Sequence, residues 1–335
     1  MTTSLTPRPS GEPDAGRHFA DGAPRATPRL ARLPRPARRE KPRGPLRTHP
    51  ALWLFPIPAL VLYVFFFAGP TVQAFQYALT DWNGYEDTYR NVGMENFSHL
   101  ATDDDMFSRA LSNNLKFMFT VVVFQTLFAL VFAVYLAATS RSSVFLRALF
   151  FFPTILSSVS VAFVWRFVYD PGFGLANRGL DAVGLEGLRS SYLGDPQQAI
   201  YFVALTQIWF HTGQMMVIYI AGLQVIPREL YEAAEVDGAS RWQQFRFVTW
   251  PLLAPATAIV VAYTTIQSFK AFDLILGLSG NPPKPSLDIL STRIFSTFSN
   301  SEYGYAAAES VLFMIVIAMV TFLQRRAVRV LQAGT

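Results

Sequence analysis

Six runs of mainly apolar residues divide the chain, at about 52–79, 112–138, 147–169, 200–223, 253–276 and 305–324. Each reaches the roughly 20 residues that crossing a bilayer requires. A backbone exposed to lipid must satisfy its own hydrogen bonds, so all six are predicted as helices. The expected fold is an all-α integral membrane protein with six transmembrane helices.

The polar intervals fix an expected orientation. Nineteen Lys and Arg lie in the segment before the first run, in 139–147, in 225–250 and after 324. The intervals 81–110, 170–198 and 277–304 hold six, although these loops are longer. Basic residues stay on the cytoplasmic side, so both termini are predicted to be cytoplasmic.

Composition supports the membrane reading. The chain is 51% hydrophobic and 15% charged, against the roughly 25% charged residues usual in a soluble domain. There is no Cys, which excludes disulfides and thiolate metal sites and leaves the redox compartment open. Residues 1–50 are rich in Pro, Arg, Ala and Gly, with eleven basic and four acidic residues. They are expected to form a disordered basic cytoplasmic tail. The transmembrane domain is expected at 51–325, followed by a short basic tail at 326–335. The net charge of +5 follows the spans, so no nucleic-acid partner is expected.

One polar interval has a pattern of its own, "YEAAEVDGASRWQQFRFVTWPLL" at 231–253. Pro227 can begin a helix, and Glu229 and Glu232 sit near its positive end. Gly238 is expected to turn the chain. Ser240 and Gln243 have capping-box spacing, predicting a second helix that carries Trp242, Phe245 and Phe247 and ends before Pro251. Such a corner suits either docking to a cytosolic partner or lying on the membrane surface.

Glu232-Ala233-Ala234, three residues, Gly238, nine residues, Val248, one residue and Trp250-Pro251 together resemble the cytoplasmic signature loop of ABC-importer permeases. The form with Asp237, Gly238 and Ala239 resembles the sugar branch, with maltose and glycerol-3-phosphate permeases. "YALTDW", "GMENF", "NNLKF", "GLANRGLDAVGL", "SYLGDPQQA" and "SFKAFDLILGLSGNPP" extend the resemblance over roughly 50–325. It implies the type I permease architecture, with 227–251 as the coupling loop. Glu232, Ala233, Ala234, Asp237, Gly238, Ala239 and Pro251 would then meet the ATPase. The implied partners are a second permease, forming a heterodimer, two ATP-binding subunits and an extracytoplasmic solute-binding protein, in the inner membrane of the cell. ATP and Mg would belong to the ATP-binding subunits; no cofactor is expected in this chain.

Polar residues inside spans mark candidate transport paths. Thr154 and Ser158 are four apart, as are Thr264 and Ser268, with Ala271 three further on. Gln207, His211 and Gln214 follow the same helical spacing. The resemblance implies Thr154, Ser158, Gln207, Phe210, His211, Ser268 and Ala271 as sugar-contacting positions. Positions 205 and 216 are expected to face lipid. Lys270 and Asp273 are expected to pair along their helix or to extend outward. Neither Walker, G-x-S-x-G nor H-E-x-x-H patterns occur. No catalytic or metal-binding residue is therefore assigned. A secondary transporter would need a coupling carboxylate near the bilayer midplane, and the acidic residues fall in loops and at helix ends. The cargo is expected to be a mono-, di- or oligosaccharide, with a glycerol-phosphate compound as the alternative.

Overall fold

The structure is a computed structural model that describes residues 54–86 and 88–333, with side chains to 327. The expected basic tail at 1–50 lies outside the described residues. All regular elements among them are helical; the sole β-pairing is a single bridge between Thr80 and Asn91.

The helices are α1 (Ile57–Tyr77), α2 (Glu95–Thr102), α3 (Asp105–Leu136), α4 (Arg141–Phe151), α5 (Ser158–Val168), α6 (Leu175–Ala182) and α7 (Ala199–Val225). They are followed by α8 (Arg228–Val236), α9 (Arg241–Leu252), α10 (Ala254–Phe269), α11 (Phe272–Ser279), α12 (Leu290–Ser299) and α13 (Tyr303–Ala333). Three of these, α1, α3 and α13, are each long and apolar enough to cross a membrane, and the number rises to five if each of two bent pairs is one span. The remaining apolar run, 200–223, corresponds to α7, 27 residues long. Its Gln, His and Thr residues dilute its apolar character, and it is also the helix with most buried side chains. Burial inside protein is what makes such a composition tolerable at membrane depth.

α7 packs along most of α3, and α10 fits against α3, α7 and α13. Polar side chains join these helices. Gln125 Nε2 donates to Thr264 Oγ1 at 3.4 Å, and Gln324 Nε2 to Thr265 Oγ1 at 2.5 Å. Interhelical hydrogen bonds of this kind hold membrane bundles together where the hydrophobic effect cannot. Gly213 lets α7 lie directly on the end of α4: an added Cβ would sit 2.1 Å from the Phe150 carbonyl oxygen.

Two predicted spans are broken. The run 147–169 bends by 100° between Ile155 and Ser158. Pro153 lies in a short 3-10 turn, and Leu156 and Ser157 are extended. Thr154 and Ser158 therefore do not share a helix face, because the rise and rotation that would align them exist only in an unbroken helix. The run 253–276 is interrupted after Phe269. Ala271 has φ −75° and ψ 57°, and the Phe272 N–H donates to the Lys270 carbonyl at 2.8 Å. This is an inverse γ-turn. It separates Ala271 from the face carrying Thr264 and Ser268.

Candidate functional site

A cavity of about 440 Å³ lies where α5, α7, α10 and α11 meet. Its wall contains four of the predicted path residues, Ser158, Gln207, His211 and Ala271. Ser158 opens α5 just after the bend, and Ala271 occupies the turn between α10 and α11. The two breaks thus bring non-helical backbone to one place. Irregular backbone within a membrane bundle is tolerated where it is buried in protein or lines a water-filled cavity.

Gln207 and His211 share one face of α7, as their spacing predicts, and Gln207 is buried. Gln214 continues that face: its Nε2 donates to the hydroxyl of Tyr263, itself a wall residue, at 3.1 Å. Phe210 packs its ring against His211, with centroids 4.0 Å apart, and its carbonyl accepts from Thr154 Oγ1 at 2.9 Å. Thr154 thereby ties the bend to α7. Ser268 is fully buried and donates to the Thr264 carbonyl of its own helix at 2.8 Å. Thr154, Phe210 and Ser268 are not on the cavity wall.

The wall also contains Tyr263, Gln267 and Lys270, at i, i+4 and i+7 of the same run, and Asp273. This stripe lies one residue, or about 100° of helix rotation, from the one the sequence suggested. The stripe holding Thr264 and Ser268 turns into the protein, where Thr264 bonds to α3. Two polar stripes run side by side here, and periodicity alone did not rank them. Of the two arrangements expected for Lys270 and Asp273, pairing is absent: they form no ion pair, and both are exposed. Met216 is also not on the lipid side; it is fully buried, packed among the apolar side chains of α3 and α7, while Leu205 is exposed.

The second candidate surface is the corner at 227–251. Pro227 is the N-cap of α8, whose first turn carries Glu229. At its other end Gly238 has φ +76°, and the Ala239 and Gly238 N–H groups donate to the carbonyls of Ala234 and Glu235 at 2.9 and 3.0 Å. This is a Schellman ending, which needs a residue in the left-handed region. Nothing lies within 4 Å of where a Gly238 Cβ would be, so the requirement is conformational, not spatial.

The predicted capping box is present: Gln243 N–H donates to Ser240 Oγ at 3.4 Å, and Ser240 N–H to Gln243 Oε1 at 2.7 Å. The helix does not stop before Pro251. It passes through a wide turn at 245–249 and continues to Leu252, because the turn frees Pro251 from needing an N–H donor. Tyr231 Oη bonds to Thr249 Oγ1 at 2.9 Å, closing the corner. Val236, Trp242 and Phe247 are left exposed, as are Glu232 and Ala233, and Glu232 makes no ion pair with any described residue.

Residues 117–331 match the family described as "binding-protein-dependent transport system inner membrane component". The chain is 34% identical over 272 residues to a probable ABC transporter permease protein of Pyrococcus horikoshii, covering 81% of this chain and 93% of that one. It is 32% identical to the multiple sugar-binding transport system permease protein MsmF of Streptococcus mutans, covering 81% and 93%. To the diacetylchitobiose uptake system permease protein NgcF of Streptomyces coelicolor it is 32% identical, covering 80% of each. Among solved structures, a bacterial ABC transporter that imports the acidic polysaccharide alginate matches with a TM-score of 0.72 and 23% identity, over 83% of this chain and 95% of that one. This last likeness is one of fold.

Proposed function

The chain belongs to the family of binding-protein-dependent transport system inner membrane components, and from that premise we infer that it is the permease subunit of an ATP-binding-cassette importer for a sugar or oligosaccharide. It is a membrane transport component and not an enzyme. In this reading all six apolar runs cross the cytoplasmic membrane, α7 as a buried polar span, α4 with α5 as one bent span, and α10 with α11 as another. Both termini and the 227–251 corner then face the cytoplasm. A second permease, two ATP-binding subunits holding ATP and Mg, and an extracytoplasmic solute-binding protein complete the assembly.

The observation that carries the reading is the convergence of Ser158, Gln207, His211 and Ala271 on one cavity at two helix breaks. A sugar needs several hydrogen-bond donors and acceptors beside an apolar platform, and this wall supplies both. The 227–251 corner, with exposed Val236, Trp242 and Phe247, offers an apolar plug, with Glu232 as an unpaired charge beside it. These features suit a loop that seats in an ATP-binding subunit.

The experiment is uptake of maltose and of diacetylchitobiose by cells holding the complete importer, combined with ATPase co-purification. Gln207→Ala and His211→Ala are expected to lower uptake about tenfold, the size of one lost hydrogen bond, with the ATPase still attached. Gly238→Val forces a β-branched residue into a left-handed conformation and is expected to release the ATPase. Unchanged uptake with the first pair and retained coupling with the last would overturn the reading.

A sugar-phosphate cargo is the second reading, favoured by Lys270 on the cavity wall. The chain is also 28% identical to an sn-glycerol-3-phosphate transport system permease protein, UgpA, of Pectobacterium atrosepticum. Asp273 on the same wall opposes it.

A further inference from the structure

The cavity wall carries one formal positive charge, on Lys270, and one formal negative charge, on Asp273. In a continuous helix these two would be i, i+3 neighbours and could pair. The inverse γ-turn at Ala271 falls between them, ending α10 on one side and starting α11 on the other. They make no ion pair with each other or with any other described residue. Asp273 instead stands in the first turn of α11, where the helix dipole favours a carboxylate.

His211 and Gln267 lie on the same wall, one on each side of the cavity's polar lining, from α7 and α10.

We propose that Lys270 and Asp273 form a charge filter on the cargo path, which passes uncharged sugars and turns away both acidic and amino sugars. This deepens the reading of the cavity as that path, and rests on it. A neutral sugar satisfies both groups: its hydroxyl oxygens accept from the Lys270 ammonium, and its hydroxyl hydrogens go to the Asp273 carboxylate. Gln267 and His211 supply further partners. A uronate or sugar phosphate gains from Lys270 but meets the like charge of Asp273, and an amino sugar meets the reverse. Coulomb energy is larger in a protein-walled cavity than in bulk water, so the like charge is not fully screened. Discrimination then comes from the repulsive member of the pair as much as from the attractive one. Interrupting the helix is what keeps the two charges from neutralising each other and leaves each available to the solute.

The test uses the absence of Cys from the native chain. Gln267→Cys is placed in the complete importer in membranes and labelled with a cationic and an anionic methanethiosulfonate of matched size. With both charges present, the two rates, corrected for intrinsic reactivity, are expected to agree within about threefold. Asp273→Asn is expected to raise the anionic-to-cationic ratio about tenfold, and Lys270→Gln to lower it by about as much. Either variant alone decides, so loss of one to misassembly leaves the other. If both are lost, the ratio in the native charge background decides, and a bias beyond about tenfold overturns the filter. An introduced thiol that fails to react, or ratios that do not move in opposite directions, also overturns it. Labelling needs no turnover, so failure here is separate from failure of the uptake experiment, which leaves both charges in place.

Discussion

Single residues set the close contacts on which the bundle depends. Gly213 is the sharpest case, because its missing side chain lets α7 touch the end of α4 at the bend. A Cβ there would lie 2.1 Å from the Phe150 oxygen and 2.7 Å from the Phe151 Cα. These are backbone atoms, so no side chain can swing aside. Gly213→Ala is expected to cost about 1–3 kcal/mol, the range for forcing extra volume into a packed core. Thermal unfolding in detergent would show it as a lower midpoint, and an unchanged midpoint would mean that the bend is soft. Gly238 works differently: its surroundings are open, and its φ of +76° is the constraint. Both were visible as glycines in the sequence. Gly238 was legible because a corner needs a left-handed residue between two helical patterns. Gly213 was not, because its reason lies in a helix end more than sixty residues away.

At the scale of elements, α7 followed its sequence pattern and the two broken helices did not. Gln207, His211 and Gln214 stayed on one face because nothing interrupts α7. The breaks beside Leu156 and Ala271 were illegible because their flanks read as apolar runs of spanning length. Pro153 hinted at the first, and nothing comparable marks the second. A shift of one residue in the α10 stripe followed: Ser268 is buried, and Gln267 lines the cavity in its place. Labelling tests the corrected faces. A single Cys introduced at position 207, 211 or 267 should react with a small water-soluble thiol reagent in at least one state of the cycle. One introduced at position 268 or 216, both fully buried, should not. Leu205 is exposed on α7 and serves as the control for a lipid-facing or subunit-facing site. Reaction at 268 in preference to 267 would restore the original stripe.

The molecule as a whole joins distant parts of the chain at the side predicted to be external. The Asn pair of "NNLKF" shows how: Asn113 Nδ2 donates to the carbonyls of Pro285 and Asp288 at 3.2 and 3.0 Å, and Asn114 Oδ1 accepts from the Leu290 N–H at 3.3 Å. Reporter fusions should place the 81–110 loop outside and the end after Thr335 inside; an external signal from the latter would reduce the number of crossings to an odd one. Beside the Asn pair, Arg293 on α12 links the 81–110 loop to the last of the described helices. Its Nη2 lies 3.3 Å from Asp104 Oδ2 and its Nε 3.1 Å from Glu309 Oε1, while Tyr305 Oη donates to Asp104 at 2.8 Å. The Glu309 side chain is fully buried, which also qualifies the expectation that acidic residues would stay in loops and at helix ends. Removing one partner of a buried pair costs about 3–5 kcal/mol, mainly by stranding the other charge. Arg293→Ala should therefore destabilise the protein by about that amount, observed as a lower unfolding midpoint and weaker yield. Adding Glu309→Gln removes the stranded charge and should recover a large part of the loss. If the double variant is as unstable as the single one, the role of Arg293 lies with Asp104 and the 81–110 loop, and Glu309 contributes nothing to it.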